Sequence, residues 1–256
     1  MAYGRINRNI TTVPAAAMFF PMAFWTRWSQ VLGTPPSVCY CAFMARALSF
    51  CAVILAAGES TRMGRDKALL PWPPQVAGTG AGETFLSAAI HLFSPYVDQV
   101  LIVAGKNENQ LAPIVYANGA ALVVNPSPER GQFSSLQTGL HEVLSRGRDA
   151  AMITLVDRPP VRSATIQLLE AAFDQAMLRR NWAVIPDYQG QHGHPFLAGR
   201  EMIEAFLRAP DSSNARDVEH AHQDKIEYVP VDDPFTVVNI DTPEEYAALT
   251  PSMPAR

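Results

Sequence analysis

FCAVILAAGESTRMGRDK, residues 50–67, is the stretch on which the fold turns. Its first six residues are almost continuously apolar, which suits a strand covered on both faces of a parallel sheet. The run then breaks into Ala56, Ala57, Gly58, Glu59 and Ser60. Similar runs recur at 99–104, 121–124 and 151–156, and each stops at a turn or polar residue: Gly105, Asn125, Asp157. Helical patterns lie between them. Residues 83–93 put Phe85, Leu86, Ala89, Ile90 and Phe93 on one face. Residues 134–144 gather Leu136, Leu140, Val143 and Leu144, with Ser134 or Ser135 as the cap. Residues 163–177 open on a capping-type serine, and Thr242-Pro243-Glu244-Glu245 has the cap, proline and acids of a helix start.

Strand alternating with helix predicts an α/β domain: Rossmann-like, three-layer α/β/α, with a mostly parallel sheet. Ligands in such sheets bind beyond the carboxyl ends of the strands. Residues 71–82, PWPPQVAGTGAG, read as an irregular loop.

The chain has 256 residues, 48% of them hydrophobic, enough for a sizeable core. Its formal charge of -4, with no long Lys/Arg run, argues against a nucleic-acid partner. Three cysteines, Cys39, Cys41 and Cys51, do not make a disulfide framework, and a reducing cytoplasm fits them best. Residues 9–26 are uncharged and follow Arg5 and Arg8, a weak imitation of a signal or anchor. Pro14 and Pro21 interrupt the run and Arg27 closes it, so no membrane is expected. Residues 1–48 read as a loosely attached extension; the alternative is a native start at Met44, which residues 1–43 would precede. The expected domain is 49–250, with a tail at 251–256.

In the loop, the small residues Ala56, Ala57 and Gly58 let a ligand come close to the backbone, whose N–H groups can cradle phosphate oxygens. Arg62, Arg65 and Lys67 supply cations for a triphosphate. Five residues separate Gly58 from Gly64, so this is not a Walker A loop. A tight turn with a solvated basic face is the plainer alternative. Asp157 ends a strand, where a carboxylate faces the ligand crevice and can serve a Mg²⁺ ion; a turn-forming aspartate before Pro159-Pro160 is the alternative. Asp241 precedes a helix and reads equally as a cap. Two H-x-H pairs, His192/His194 and His220/His222, invite a zinc reading, but the second lies in the polar segment 215–223.

Taken whole, LAAGESTRMGRDKALL resembles the signature of the MobA-like nucleotidyltransferases, in the wider glycosyltransferase-A-like nucleotidyltransferase group, whose fold is nucleotide-diphospho-sugar transferase-like. The resemblance runs over roughly residues 49–249. It implies a nucleotide-binding loop made by Leu55, Ala56, Ala57, Gly58, Ser60 and Gly64, with Lys67 and Arg62 on the phosphates. Asp157-Arg158-Pro159 matches the family's D-x-P, and Asn239-Ile240-Asp241-Thr242-Pro243 its closing segment, so Asp157 and Asp241 are implied Mg²⁺ ligands. Residues 125–137 resemble the loop bordering the nucleotide, with Gly131, Ser134 and Ser135 carried over; Gly193-His194-Pro195 resembles the family's acceptor-side G-H-P. The implied reaction moves a nucleoside monophosphate from an NTP to a phosphorylated small molecule and releases pyrophosphate. Ala57, where the guanylyl branch more often has glycine, and the G-H-P segment are more similar to the branch that uses CTP on molybdopterin cofactor. A molybdenum hydroxylase apoenzyme is then an implied downstream partner. Guanylyl transfer, a sugar- or alcohol-phosphate acceptor, and a non-catalytic delivery protein for the molybdenum cofactor are the alternatives.

Overall fold

The computed structural model describes residues 49–74 and 82–249. The expected extension at 1–48, the middle of the 71–82 loop and the tail at 251–256 lie outside the described residues. In chain order the strands are β1 Phe50–Leu55, β2 Pro71–Trp72, β3 Glu83–Thr84, β4 Gln99–Ala104, β5 Ala121–Val124, β6 Ala150–Leu155, β7 Ala183–Tyr188, β8 Gln191–His192, β9 Phe196–Gly199 and β10 Ile226–Pro230. The helices are α1 Phe85–Phe93, α2 Glu108–Ala117, α3 Gln132–Ser145, α4 Ser163–Leu178, α5 Arg200–Arg208, α6 Ala215–Ala221 and α7 Pro243–Ala248.

The main sheet runs β10-β7-β9-β6-β1-β4-β5, with β8 attached to β7. β1 is parallel to both β4 and β6, and its last residue, Leu55, stands opposite Val103 and Leu155. Those carboxyl ends are therefore level, and residues 56–60, 105 and 157 emerge along one edge. Alternation sorts the side chains of β1 to two faces. Ala52 and Ile54 pack under α1, α2 and α4. Cys51, Val53 and Leu55 pack under α3, α5 and α6. This is the expected three-layer architecture.

Two short strands run against the others of this mostly parallel sheet: β8 is antiparallel to β7, and β9 is antiparallel to both of its neighbours, β6 and β7. The reversal begins at Gln189 and Gly190, both at positive φ (53° and 81°) between the paired Tyr188 and Gln191. Two such residues make a primed hairpin turn, which returns the chain alongside β7.

Several boundaries differ from those read in the sequence. The helix expected from Ser134 starts at Gln132, behind Gly131 at φ 91°. Ser134 and Ser135 are inside it, not caps, because both hydroxyls accept from buried Asn125 at 2.9 Å. The expected helix from residue 83 begins at Phe85, since Glu83 and Thr84 pair with β2 and Thr84 closes a capping box with Ser87. The ends of the 71–82 loop are thus a small ribbon. The polar segment 215–223 forms α6 over Ala215–Ala221 and stays largely exposed, with Val218 its one buried residue.

α3 lies so close to the sheet that a Cβ on Gly139 would stand 2.7 Å from Val53 Cγ1 and 2.9 Å from Val103 Cγ2. Both valines are stiff at χ1. The overpacking cost of about 1–3 kcal/mol outweighs the helix-propensity gain of about 1 kcal/mol. Gly139→Ala is expected to lower the urea midpoint; an unchanged or higher midpoint would contradict this packing.

Candidate active site

Lys67 reaches across the edge of the sheet to two carboxylates. Its Nζ donates to Asp157 Oδ2 at 3.2 Å and to Asp241 Oδ1 at 2.6 Å, partners 90 and 174 residues away in sequence. The lysine side chain is 11% exposed and each aspartate 23%, so water screens the cluster weakly. Arg62 adds a second cation on Asp241 Oδ1 at 3.1 Å. The hydrogen bond from Lys67 holds the Asp241 carboxyl below its usual range, helped by the charges of Lys67 and Arg62 against the opposing effect of burial.

Backbone contacts hold the aspartates together. Ile240 N donates to the Asp157 carbonyl at 2.9 Å, and Asn239 Nδ2 donates to Asp241 Oδ2 at 2.9 Å. α7 begins just beyond, with Thr242 and Glu245 forming a capping box. A satellite core of Met63, Leu70, Trp72, Phe85, Ala88 and Ile240 packs below and fixes the Lys67 and Asp241 segments to one another.

The loop itself is a curl. Ser60 has φ 48°, a value non-glycine residues seldom adopt, while its Oγ accepts from Lys67 N at 3.1 Å and its carbonyl from Met63 N at 3.0 Å. Gly64, at φ 70°, closes the next turn. Nothing among the described residues lies within 4 Å of a Cβ built on Gly58, so glycine here answers no packing demand from them and leaves the backbone open to the cavity. Gly105 is different, because its Cβ would meet the Ala57 carbonyl and Pro128 Cβ at 3.0 Å each. Asn107 braces the curl from behind: Nδ2 donates to the Ala56 carbonyl at 2.9 Å and to Asp66 Oδ2 at 2.6 Å.

These residues wall a cavity of about 490 Å³ that includes Leu55, Ala57, Gly58, Ser60, Lys67, Gly131, Ser135 and Asp157. A second cavity of about 920 Å³ adjoins it and shares Leu55, Gln132 and Leu155. Its floor is apolar (Phe133, Leu136, Ile153, Ile185, Phe196), and Gly193, His194 and Arg158 stand at its side.

Gly193-His194-Pro195 owes its form to packing. A Cβ on Gly193 would fall 2.3 Å from the Thr236 carbonyl oxygen, and His194 N donates to that same oxygen at 2.8 Å. Arg158 Nη1 also donates to it, at 2.9 Å. The His194 ring is partly buried, with Nδ1 enclosed and unpartnered. Burial, aided by the charge of Arg158, pushes its pKa down to about 3.

The sequence-derived residues therefore divide. Leu55, Ala57, Gly58, Ser60, Lys67, Asp157, Gly131 and Ser135 meet at the first cavity, and Gly193 and His194 at the second. Ala56 is buried beneath the loop and Ser134 is tied to Asn125. Gly64 turns outward, and Arg62 sits on Asp241. Arg65, expected beside the phosphates, instead lies over the Tyr246 ring at 5.9 Å. Lys106, Asn107, Gln132 and Arg158 were not singled out. For the first two, the Gly105 turn at a strand end was the available signal.

The two carboxylates fit a hard divalent cation. Asp157 Oδ1 is buried and lacks a hydrogen-bond partner, and Mg²⁺ is ordinarily held by one or two carboxylates with substrate phosphates and water. Among the described residues no cluster of three or more His, Cys, Asp or Glu forms, so substrate oxygens would complete the shell. No helix among them is long and apolar enough to cross a membrane.

Residues 52–226 match the model of the MobA-like NTP transferase domain. The molybdenum cofactor cytidylyltransferase of Escherichia coli K12 is 25% identical over 200 residues, 76% of this chain and 92% of that protein. A probable molybdenum cofactor guanylyltransferase of Mycobacterium avium is 29% identical over 116 residues, 45% of this chain and 53% of that one. The crystal structure of Rv0371c from Mycobacterium tuberculosis H37Rv superposes with a TM-score of 0.65 at 24% identity, covering 79% of this chain and 97% of that one. The same protein has been solved in complex with manganese (TM-score 0.61, 22% identity, 80% of this chain and 100% of that one).

His194 sets a pH dependence. Its folded pKa is depressed, so the unfolded chain binds the extra proton. The stability it contributes is complete above pH 6.5 and is lost as pH falls from there towards about 3. The loss is at most about 1.4 kcal/mol per pH unit, an upper bound because part of the ring meets solvent. Urea unfolding between pH 6.5 and pH 5 should show a steeper decline for the wild type than for His194→Gln; parallel declines would refute a neutral His194.

Proposed function

We propose, from the premise that the chain belongs to the MobA-like NTP transferase family and is a nucleotidyltransferase, that it moves CMP from CTP onto the phosphate of molybdopterin cofactor. The carrying observation is Lys67 bridging Asp157 and Asp241 beside the open loop, where two cavities share a wall. The first cavity takes the nucleotide and the second the acceptor. An acceptor phosphate oxygen forms the new bond to the α-phosphorus, and the bond to pyrophosphate breaks.

Asp157 and Asp241 would hold Mg²⁺, which supplies charge neutralisation to phosphate oxygens when bound. Gly58 and its neighbours offer backbone N–H groups to the triphosphate. The Lys67 ammonium lies within reach of both carboxylates and faces the cavity, so it also neutralises charge that develops on the leaving pyrophosphate. No side chain needs to take a proton, because the attacking phosphate is already ionised. Catalysis then rests on position and charge.

For the base, Ala57 supports cytosine. It lines the nucleotide cavity and carries a methyl where the guanylyl branch more often has glycine. The likeness to the cytidylyltransferase spans nearly that whole protein, against about half of the guanylyltransferase. The setting is the cytoplasm, and a molybdenum hydroxylase apoenzyme is the consumer of the product.

Pyrophosphate release is measured with each of the four NTPs, with and without molybdopterin cofactor. CTP with the cofactor is expected to turn over, and chelation of divalent metal to abolish turnover. Asp157→Asn and Asp241→Asn are each expected to cut kcat roughly a hundredfold or more. Full activity of Asp157→Asn would sink the metal role. Preference for GTP would overturn the base assignment, and cofactor binding without turnover would favour a delivery protein.

A further inference from the structure

The second cavity is lined by a cation that no carboxylate pairs among the described residues. Of the arginines lining it, Arg130 pairs with Asp211 and Arg216 faces Glu219. Arg158 forms no ion pair among the described residues. Its Nη1 is occupied by the Thr236 carbonyl at 2.9 Å, while its Nε is buried and has no partner. Burial depresses its pKa and nearby Asp157 opposes the shift, yet a guanidinium stays charged in any protein. Asp157 acts on it only at longer range: neither an ion pair nor a hydrogen bond joins the two side chains among the described residues.

Pinning one nitrogen fixes the plane of the group. The Nε–Nη2 edge is then the free side of the fork, the geometry that grips a phosphate through two parallel hydrogen bonds. Arg158 lines the second cavity and follows directly on Asp157, which lines the first, and the two cavities share Leu55, Gln132 and Leu155. A half-buried unpaired cation is costly unless a ligand completes it.

We propose that Arg158 is the binding residue for the acceptor's phosphate, holding it through the Nε–Nη2 edge, with the Thr236 carbonyl as the brace that aims the guanidinium. Gly193-His194-Pro195 serves this indirectly, since its close packing on Thr236 sets that carbonyl. A neutral His194 suits the arrangement, because a charged ring there would repel Arg158 and compete for the anion.

The acceptor's identity rests on the reaction proposed above, so the test reads binding apart from turnover. Phenyl phosphate, an aromatic phosphate monoester suited to an apolar floor, is titrated calorimetrically into the wild type, Arg158→Gln and Arg130→Gln, the last removing a cavity arginine that is already paired with Asp211. Affinity is expected to fall about 10- to 100-fold in Arg158→Gln and to hold in Arg130→Gln. Equal binding by wild type and Arg158→Gln overturns the inference, as does loss in Arg130→Gln alone. No nucleotide takes part, so a protein without transferase activity would refute the proposed function and leave this result to be read separately. In turnover, Arg158→Gln should raise the acceptor KM with the NTP KM unchanged, whereas a merely structural role would move both. If Arg158→Gln does not fold, the wild type decides. Phenylglyoxal modification of Arg158, mapped by mass spectrometry, should slow severalfold with phenyl phosphate and not with phenol; equal rates overturn the inference.

Discussion

Lys67 is where the chain closes on itself. Its ammonium joins a loop after the first strand, a turn after the sixth and a segment before the last described helix. A weakly solvated cation needs carboxylates, and two adjacent carboxylates need cations. With Arg62 included, two positive and two negative groups sit together, close to neutral. Such a cluster is stable by itself and yet exchangeable, since an incoming polyphosphate with a divalent cation redistributes the same kinds of charge. The satellite core around Trp72 and Phe85 makes the meeting reproducible, because it packs the Lys67 and Asp241 segments against the start of α1.

The fold and the site were legible to different depths. β1 and β4 stand where their apolar runs place them, because a strand buried on both faces leaves no other composition, and β5 stands where its run places it although it is a partly exposed edge strand. Asp157 and Lys67 were found because strand ends and cation-rich turns are sparse and specific signals. α2 was not found: only Leu111 and Val115 are buried and Pro113 interrupts it, so its periodicity is faint. β9 is four residues long and its direction depends on a turn made by Gln189 and Gly190, a pair without the usual Asn or Asp. The inward turn of Ser134 and Ser135 was hidden as well, since their partner Asn125 is close in sequence but its burial is a tertiary fact. Arg158 escaped notice because a lone arginine among prolines carries no pattern; its meaning comes from the carbonyl that holds it.

Motif residues in this chain do two kinds of work. Gly58 and Lys67 border open space, so their identities answer to a ligand. Ser134 and Gly193 are consumed by the protein's own contacts. The reversed strand links the two kinds. It carries the chain from His194 back between β6 and β7, so the second cavity gains a wall on the same edge of the sheet as the nucleotide loop.

Asp241 has a consequence in time. The sheet and both of its helical layers are built from residues that precede it, while the second carboxylate of the lysine bridge arrives 174 residues after Lys67. A chain emerging from the ribosome can therefore complete its two large cores before its charge cluster exists. Until the segment around Ile240 docks, Lys67 has one carboxylate of its two, and the small core beneath it is missing a member. On the proposed function, competence to handle a triphosphate is then acquired only after the large cores, and a product released just short of Asp241 would retain its layers and lack the second carboxylate.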